Sequence, residues 1–206
     1  MSLDDDYRAR HAEVLEPLAH ALEQQIAEYL DGRARIDRIS ARPKGIKKFL
    51  DKAAKRNDDG SLKYEHPLAQ IQDQVGARVT VYYKRDVEPI SAELLKYLRP
   101  IESKDLVPSS EWEFGYFGRH HVCLFPPDLI VPDWNPQHVP QFFELQVKTL
   151  FQHAWSEANH DLGYKPDTQP LTSDQLRMLA YTSAQAWGAD RAFDELFEQL
   201  NGRQCQ

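Results

Sequence analysis

Near the start of the chain, apolar residues recur every three or four positions, and Leu15, Leu18, Leu22, Ile26 and Tyr29 share one helical face. A helix over about residues 5–31 is expected, with Pro17 opening its continuous part or kinking it and Gly32 as its stop. Ile46, Phe49, Leu50 and Ala53 form a second apolar stripe. It predicts a helix from about Pro43, a residue suited to a first turn. Asn57 to Tyr64 is rich in turn formers. From Gly76 to Tyr83 the period changes to two: Ala77, Val79, Val81 and Tyr83 face one way, and Arg78, Thr80 and Tyr82 the other. Val87 to Leu98 returns to helical spacing. Residues 99–114 look irregular, His121 to Phe125 reads as a short strand, and Pro126 to Gln141 is a proline-rich loop. Phe142 to Val147 alternates again. Phe143, Leu145 and Val147 take one side; Phe142, Glu144 and Gln146 take the other, and Lys148 continues that second parity. Helices over about Leu150–Leu162 and Ser173–Leu200 follow. The mixture of helices and strands predicts an α/β (α+β) domain, a sheet covered by helices.

Composition narrows the setting. The 206 residues suit one domain, 1–206, and 41% hydrophobic with 28% charged residues is globular. No apolar run is long enough to cross a membrane, so no membrane partner is expected. The Met-Ser-Leu-Asp-Asp-Asp start lacks the basic and apolar stretches of a signal peptide. Cys123 and Cys205 make no metal or redox spacing, and Cys123 lies in an apolar run that predicts a buried thiol. A reducing, cytoplasmic location is the expectation.

Charge adds an asymmetry. The net charge of −7 argues against broad nucleic-acid binding. Yet Arg33 to Arg56 carries ten basic residues against two acidic ones. Lys44, Lys48, Lys52 and Lys55 follow at spacings of four, four and three. Such a stripe is either a solvated helix face or the counterpart of a polyphosphate.

Four clusters carry candidate chemistry: Arg42-Pro43-Lys44 with Lys48 and Lys52; Asp73 through Arg78; Gly115-Tyr116 through His120; and Glu144 through Thr149, leading to Trp155, His160, Tyr164 and Lys165. Phosphoryl chemistry needs cations over the phosphates and a metal bridging their oxygens. Mg²⁺ is held by one or two carboxylates plus substrate phosphates, and Asp73 and Glu144 are such carboxylates near strand ends. A purine needs a flat apolar surface, which Tyr116 offers. Each residue also has a plainer role as a turn, strand-surface or packing residue; the combination is what points to chemistry.

In order, these motifs resemble the RelA/SpoT synthetase domain over about Ile39 to Pro166. The most specific part is FELQVKT followed by HAWSEANHDLGYK. The resemblance implies a nucleotidyltransferase-like fold with a mixed central sheet of about five strands flanked by helices. Its core would lie at about 33–166, with extra terminal helices at 5–31 and 173–200. It implies a small stand-alone alarmone synthetase that moves pyrophosphate from ATP to GDP or GTP with Mg²⁺. By that resemblance Arg42 and Arg78 flank the adenine, and Lys44, Lys48 and Lys52 contact the ATP phosphates. Asp73 binds Mg²⁺, and Glu144 binds Mg²⁺ or acts as general base, with Gln146 nearby. Tyr116 stacks on guanine, with His120 in the same acceptor loop. Lys148, His160 and Lys165 bind acceptor or donor phosphates. Two family positions that often hold serine are Lys48 and Gly118 here, and Glu113-Phe114 precedes Gly115 without a basic residue.

The acceptor therefore stays open between GDP, GTP, an adenosine nucleotide and, in a toxin-like relative, the 3′ end of tRNA. A homo-oligomer built on the terminal helices and an antitoxin partner also stay open. A non-catalytic nucleotide-binding regulator is a different class, against which the paired carboxylates weigh. A zinc hydrolase would use His153, Glu157 and His160, but the His-Glu-x-x-His motif is absent.

Overall fold

The computed structural model describes residues 2–106, 110, 113–115, 118–163 and 170–202. Helix α1 (Leu3–Arg10) starts earlier than periodicity predicts, because Ser2 and Asp5 cap it reciprocally. The Ser2 hydroxyl accepts from the Asp5 N–H at 3.1 Å. A π-helical turn, His11–Leu15, joins α1 to α2 (Glu16–Tyr29), with Pro17 in the first turn of α2. The wider turn falls where a proline ring must clear the preceding carbonyls, so Pro17 is accommodated without ending the helix. Past α2, Gly32 takes φ +72°. Arg35 is the one described non-glycine with positive φ (66°), and it is held there by a paired contact to Asp86, 2.9 Å from Nε to Oδ2.

Among the described residues, five strands form one sheet in the order β1-β2-β5-β4-β3. They are β1 (Ile36–Pro43), β2 (Val75–Val81), β3 (Pro100–Leu106), β4 (Gly118–Leu124) and β5 (Phe142–Thr149). Only β2 and β5 run parallel; the other pairings are antiparallel. The remaining helices are α3 (Ile46–Ala53), α4 (Pro67–Gln70), α5 (Lys84–Leu94), α6 (Leu150–Gly163) and α7 (Ser173–Gly202).

Two expectations are corrected. Pro43 does not begin a helix: it ends β1, paired with Val75, and α3 begins at Ile46. β1 is an edge strand, where a missing N–H costs no ladder bond. Residues 99–114 are not irregular throughout, since β3 occupies Pro100–Leu106. That second edge strand is largely exposed and lacks the alternation that marks a half-buried strand.

One face of the sheet is apolar. Ala77, Val79, Val81, Phe143, Leu145, Val147 and Cys123 are buried there with Leu18, Leu22 and Ile26 of α2 and Ile90 and Leu94 of α5. Burial pushes the Cys123 thiol up to about 12, so it stays protonated and inert, as its surroundings in sequence predict. On the same side, buried His121 bridges the hydroxyls of Ser91 and Ser103 at 2.7 Å each, tying α5 and β3 to β4. On α7, Leu176, Phe193, Leu196 and Leu200 are exposed. No described helix is long and apolar enough to cross a membrane.

Candidate active site

The opposite face of the sheet is polar, and register brings the candidate residues together there. Arg42 on β1 pairs with Gly76 on β2, and Gly76 pairs with Glu144 on β5. One step along, Arg78 pairs with Gln146, which pairs with His120 on β4. Paired residues project to the same side, so Arg42, Arg78, Glu144, Gln146, Lys148 and His120 share one surface.

Asp73 precedes β2 at the same end of the sheet. Lys44 Nζ meets its Oδ2 at 2.9 Å, and Lys52 Nζ meets its Oδ1 at 2.9 Å. Burial alone would push the Asp73 carboxyl up, but the two ammonium groups outweigh it and hold it below the usual carboxylate range. Lys48 lies on the exposed side of α3, and no ion pair reaches it among the described residues. The two lysines converge because Lys44 sits in the turn before α3 and Lys52 in its last turn. Helix α1 supports that turn from below. The Tyr7 hydroxyl donates to the Lys44 carbonyl at 2.8 Å, and the Tyr7 ring stacks on Phe49 of α3 with centroids 3.6 Å apart.

Glu144 is oriented by two donors, His120 Nδ1 to Oε1 at 2.8 Å and Gln146 Nε2 to Oε2 at 2.7 Å. Burial and the nearby Asp73 charge oppose ionisation of Glu144. The His120 and Gln146 hydrogen bonds prevail, and its carboxyl lies below the usual range. Gln146 Oε1 is buried without a hydrogen-bond partner among the described residues, an acceptor beside the carboxylate that a ligand donor would satisfy. Lys148 is fully buried, and its Nζ approaches Ser156 Oγ at 3.4 Å. Burial and the nearby Arg78 charge lower the Lys148 ammonium to about 7.

Helix α6 closes one side of this surface. Thr149 and Gln152 cap its start reciprocally, Gln152 N–H to Thr149 Oγ1 at 3.1 Å and Thr149 N–H to Gln152 Oε1 at 3.0 Å. Arg78 Nη1 donates to His153 Nδ1 at 3.0 Å and to Glu157 Oε1 at 2.7 Å, and Arg42 Nη2 lies 3.9 Å from Glu157 Oε2. Glu157 was not expected at this site. Its signal in the sequence is the i, i+4 spacing with His153, which also fits a zinc pair. The structure shows instead that both side chains engage Arg78. His160 is exposed one turn further on. Tyr116 and Lys165 lie outside the described residues.

Asp73 and Glu144 are close enough for their charges to interact, and both belong to the same sheet end. Among the described residues no three His, Cys, Asp or Glu side chains gather around one point. Asp73 and Glu144 suit an ion that takes one or two protein carboxylates and completes its shell with water and substrate phosphate, as Mg²⁺ does. Clustered ammonium and guanidinium groups beside two ionised carboxylates supply the charges that chemistry on a polyphosphate calls for.

The chain belongs to the RelA/SpoT family: the family model described as "Region found in RelA / SpoT proteins" matches residues 41–169. It is similar to the GTP pyrophosphokinase YjbM of Bacillus subtilis strain 168, with 26% identity over 173 residues, covering 83% of this chain and 75% of that protein. The solved structure of small alarmone synthetase 1 from B. subtilis bound to its product pppGpp matches with a TM-score of 0.70 and 21% identity, over 96% of this chain and 97% of that one. The same enzyme bound to AMPCPP matches with a TM-score of 0.65 and 19% identity, over 96% and 98%. These structural likenesses establish the five-stranded mixed sheet with flanking helices as the fold of small alarmone synthetases.

Proposed function

We propose that this chain is an ATP-dependent pyrophosphotransferase that moves the β,γ-pyrophosphate of ATP to the 3′-hydroxyl of GDP or GTP, making (p)ppGpp. One observation carries the reading. Two ionised carboxylates, Asp73 and Glu144, lie at one sheet end within range of each other's charge, one held by lysines and the other by His120 and Gln146. Family membership and the names of the relatives, a GTP pyrophosphokinase and synthetases bound to pppGpp and AMPCPP, support the two nucleotides.

Lys44, Lys48 and Lys52 bind the donor phosphates, and Arg42 and Arg78 flank the donor base. Asp73 keeps two of these ammonium groups gathered before the triphosphate arrives. Asp73 and Glu144 would hold Mg²⁺, which when bound neutralises charge developing on the transferred phosphates. Tyr116, His120, Gln146, Lys148, His160 and Lys165 belong to the acceptor side. Gln146 Oε1 accepts a ribose hydroxyl of the acceptor, and Glu144 takes the 3′-hydroxyl proton. The 3′-oxygen then bonds to the β-phosphorus, and the bond from that phosphorus to the α,β-bridging oxygen breaks. AMP leaves with that electron pair.

The test supplies purified protein with Mg²⁺, γ-labelled ATP and GDP, GTP, ATP or tRNA as separate acceptors. Label is expected in the guanosine nucleotides, and Glu144→Gln is expected to bind ATP without transferring it. Label found only in tRNA or an adenosine nucleotide would overturn the acceptor. No transfer to any acceptor, with normal nucleotide binding, would make the chain a non-catalytic regulator.

A further inference from the structure

Two guanidinium groups from neighbouring strands reach one carboxylate on α6, Arg78 at 2.7 Å and Arg42 at 3.9 Å from the two Glu157 oxygens. An arginine bound through its N–H edge keeps the faces of its plane available for stacking. The Arg42 side chain is 70% exposed and that of Glu157 45% exposed, so protein does not fill the space beside them. Burial pushes Glu157 up, but Arg78 and Arg42 outweigh it and keep the carboxyl ionised. An ionised carboxylate only accepts hydrogen bonds and has about four lone-pair sites. Among the described residues, Arg78 supplies the one hydrogen bond that Glu157 receives.

We propose that Glu157 is a specificity-determining residue of the donor site: it holds the flanking arginines by their edges and accepts a hydrogen bond from the 6-amino group of adenine. The inference rests on the proposed assignment of Arg42 and Arg78 to the donor base. A base stacked on these guanidinium faces turns its own edge toward the carboxylate that binds theirs. Adenine presents an N–H₂ donor at position 6, whereas guanine presents a carbonyl oxygen there. Against an anionic acceptor the first is bound and the second repelled. An enzyme that takes two purine nucleotides at once needs this distinction, because an acceptor in the donor site blocks turnover.

The experiment compares ATP with purine riboside 5′-triphosphate, which lacks the 6-amino group, as donors at saturating GDP. Release of the corresponding monophosphate gives KM and kcat for each. Wild type is expected to prefer ATP by about tenfold or more in KM, the scale of a hydrogen bond to a charged group, with kcat changing less. In Glu157→Ala that preference is expected to fall to about onefold. In Glu157→Gln, which keeps one acceptor oxygen without the charge, it is expected to lie between the two. An unchanged preference in folded Glu157→Ala overturns the inference while leaving ATP as donor. Absence of any wild-type reaction with ATP overturns the donor assignment and this inference together.

Discussion

Replacing Asp190 by asparagine removes a buried charge while keeping the shape of the side chain. Asp190 lies on α7, 3% exposed, and its Oδ2 accepts the Thr149 hydroxyl at 2.8 Å. Its Oδ1 is buried with no hydrogen-bond partner among the described residues. Burial raises its carboxyl from 3.8 to about 6, against the lowering effects of the Thr149 hydrogen bond and the Lys84 charge. A carboxyl raised on folding favours the folded state when protonated. Its stabilising contribution is complete below the unfolded value, declines between about 4 and 6, and is absent above. The gap corresponds to roughly 3 kcal/mol at neutral pH, an upper figure because the site can relax. The amide in D190N has no such dependence, and its carbonyl oxygen still accepts from Thr149. Urea unfolding of wild type and D190N at pH 7 and pH 4 measures the difference. The variant is expected to be more stable at pH 7 by about 1–3 kcal/mol and to lose that advantage at pH 4. In a chain this long, 1 kcal/mol is about 2–4 °C in Tm. Equal stability at pH 7, or a gain of the same size at both pH values, refutes the reasoning.

Three further outcomes follow from the site. A Cβ added at Gly76 meets no described atom within 4 Å, yet the position lies between Arg42 and Glu144 on the polar face. Gly76→Val is therefore expected to keep or slightly raise stability in a thermal melt while lowering kcat/KM about 100-fold by filling space the nucleotides need. Lys148 titrates near 7 in the absence of ligand, charged below and neutral above. The KM for nucleotide is expected to rise as pH climbs through that value in wild type, whereas Lys148→Arg, which stays charged, shows no such inflection in pH-dependent kinetics. Tyr7→Phe leaves the Lys44 carbonyl without its side-chain donor. It is expected to lower stability by about 1–2 kcal/mol in urea unfolding and to raise the KM for ATP more than it changes kcat.

The β5 side of the site was legible because a half-buried strand alternates strictly. Phe143, Leu145 and Val147 had to be buried, which placed Glu144, Gln146 and Lys148 together on the other face. β1 hid for the opposite reason. It is polar and proline-ended, with a register shift between Ile36 and Arg38, and its last residue, Pro43, also suits a first helical turn. The even lysine spacing suggested one stripe, yet Lys44 precedes α3, and only Lys44 and Lys52 reach Asp73. That convergence needs β1 and the approach to β2 side by side, a long-range pairing that local pattern does not encode. Glu157 was visible only as half of a helical His–Glu pair. Its arginine partners come from two strands that α6 meets only in the folded chain.

The parallel pairing of β2 with β5 is what makes the carboxylate pair feasible. Asp73 precedes the start of β2 and Glu144 is the third residue of β5. Parallel neighbours begin at the same end of a sheet, so these residues, far apart in sequence, arrive side by side; antiparallel neighbours would separate them by the strand length. The intervening α5, β3 and β4 bring the chain back to that end, and β4 then runs antiparallel to β5 so that His120 lies beside Gln146, within reach of Glu144. Register in turn depends on the apolar face. A slip of one residue between β2 and β5 would turn Glu144 toward Leu18 and Leu22 and expose Leu145, burying an unpaired carboxylate. The packing of α2 and α5 against Val79, Leu145 and Val147 therefore sets the alignment of the charges on the opposite side. Core substitutions such as Leu145→Ala are thus coupled to the site through register as well as through stability.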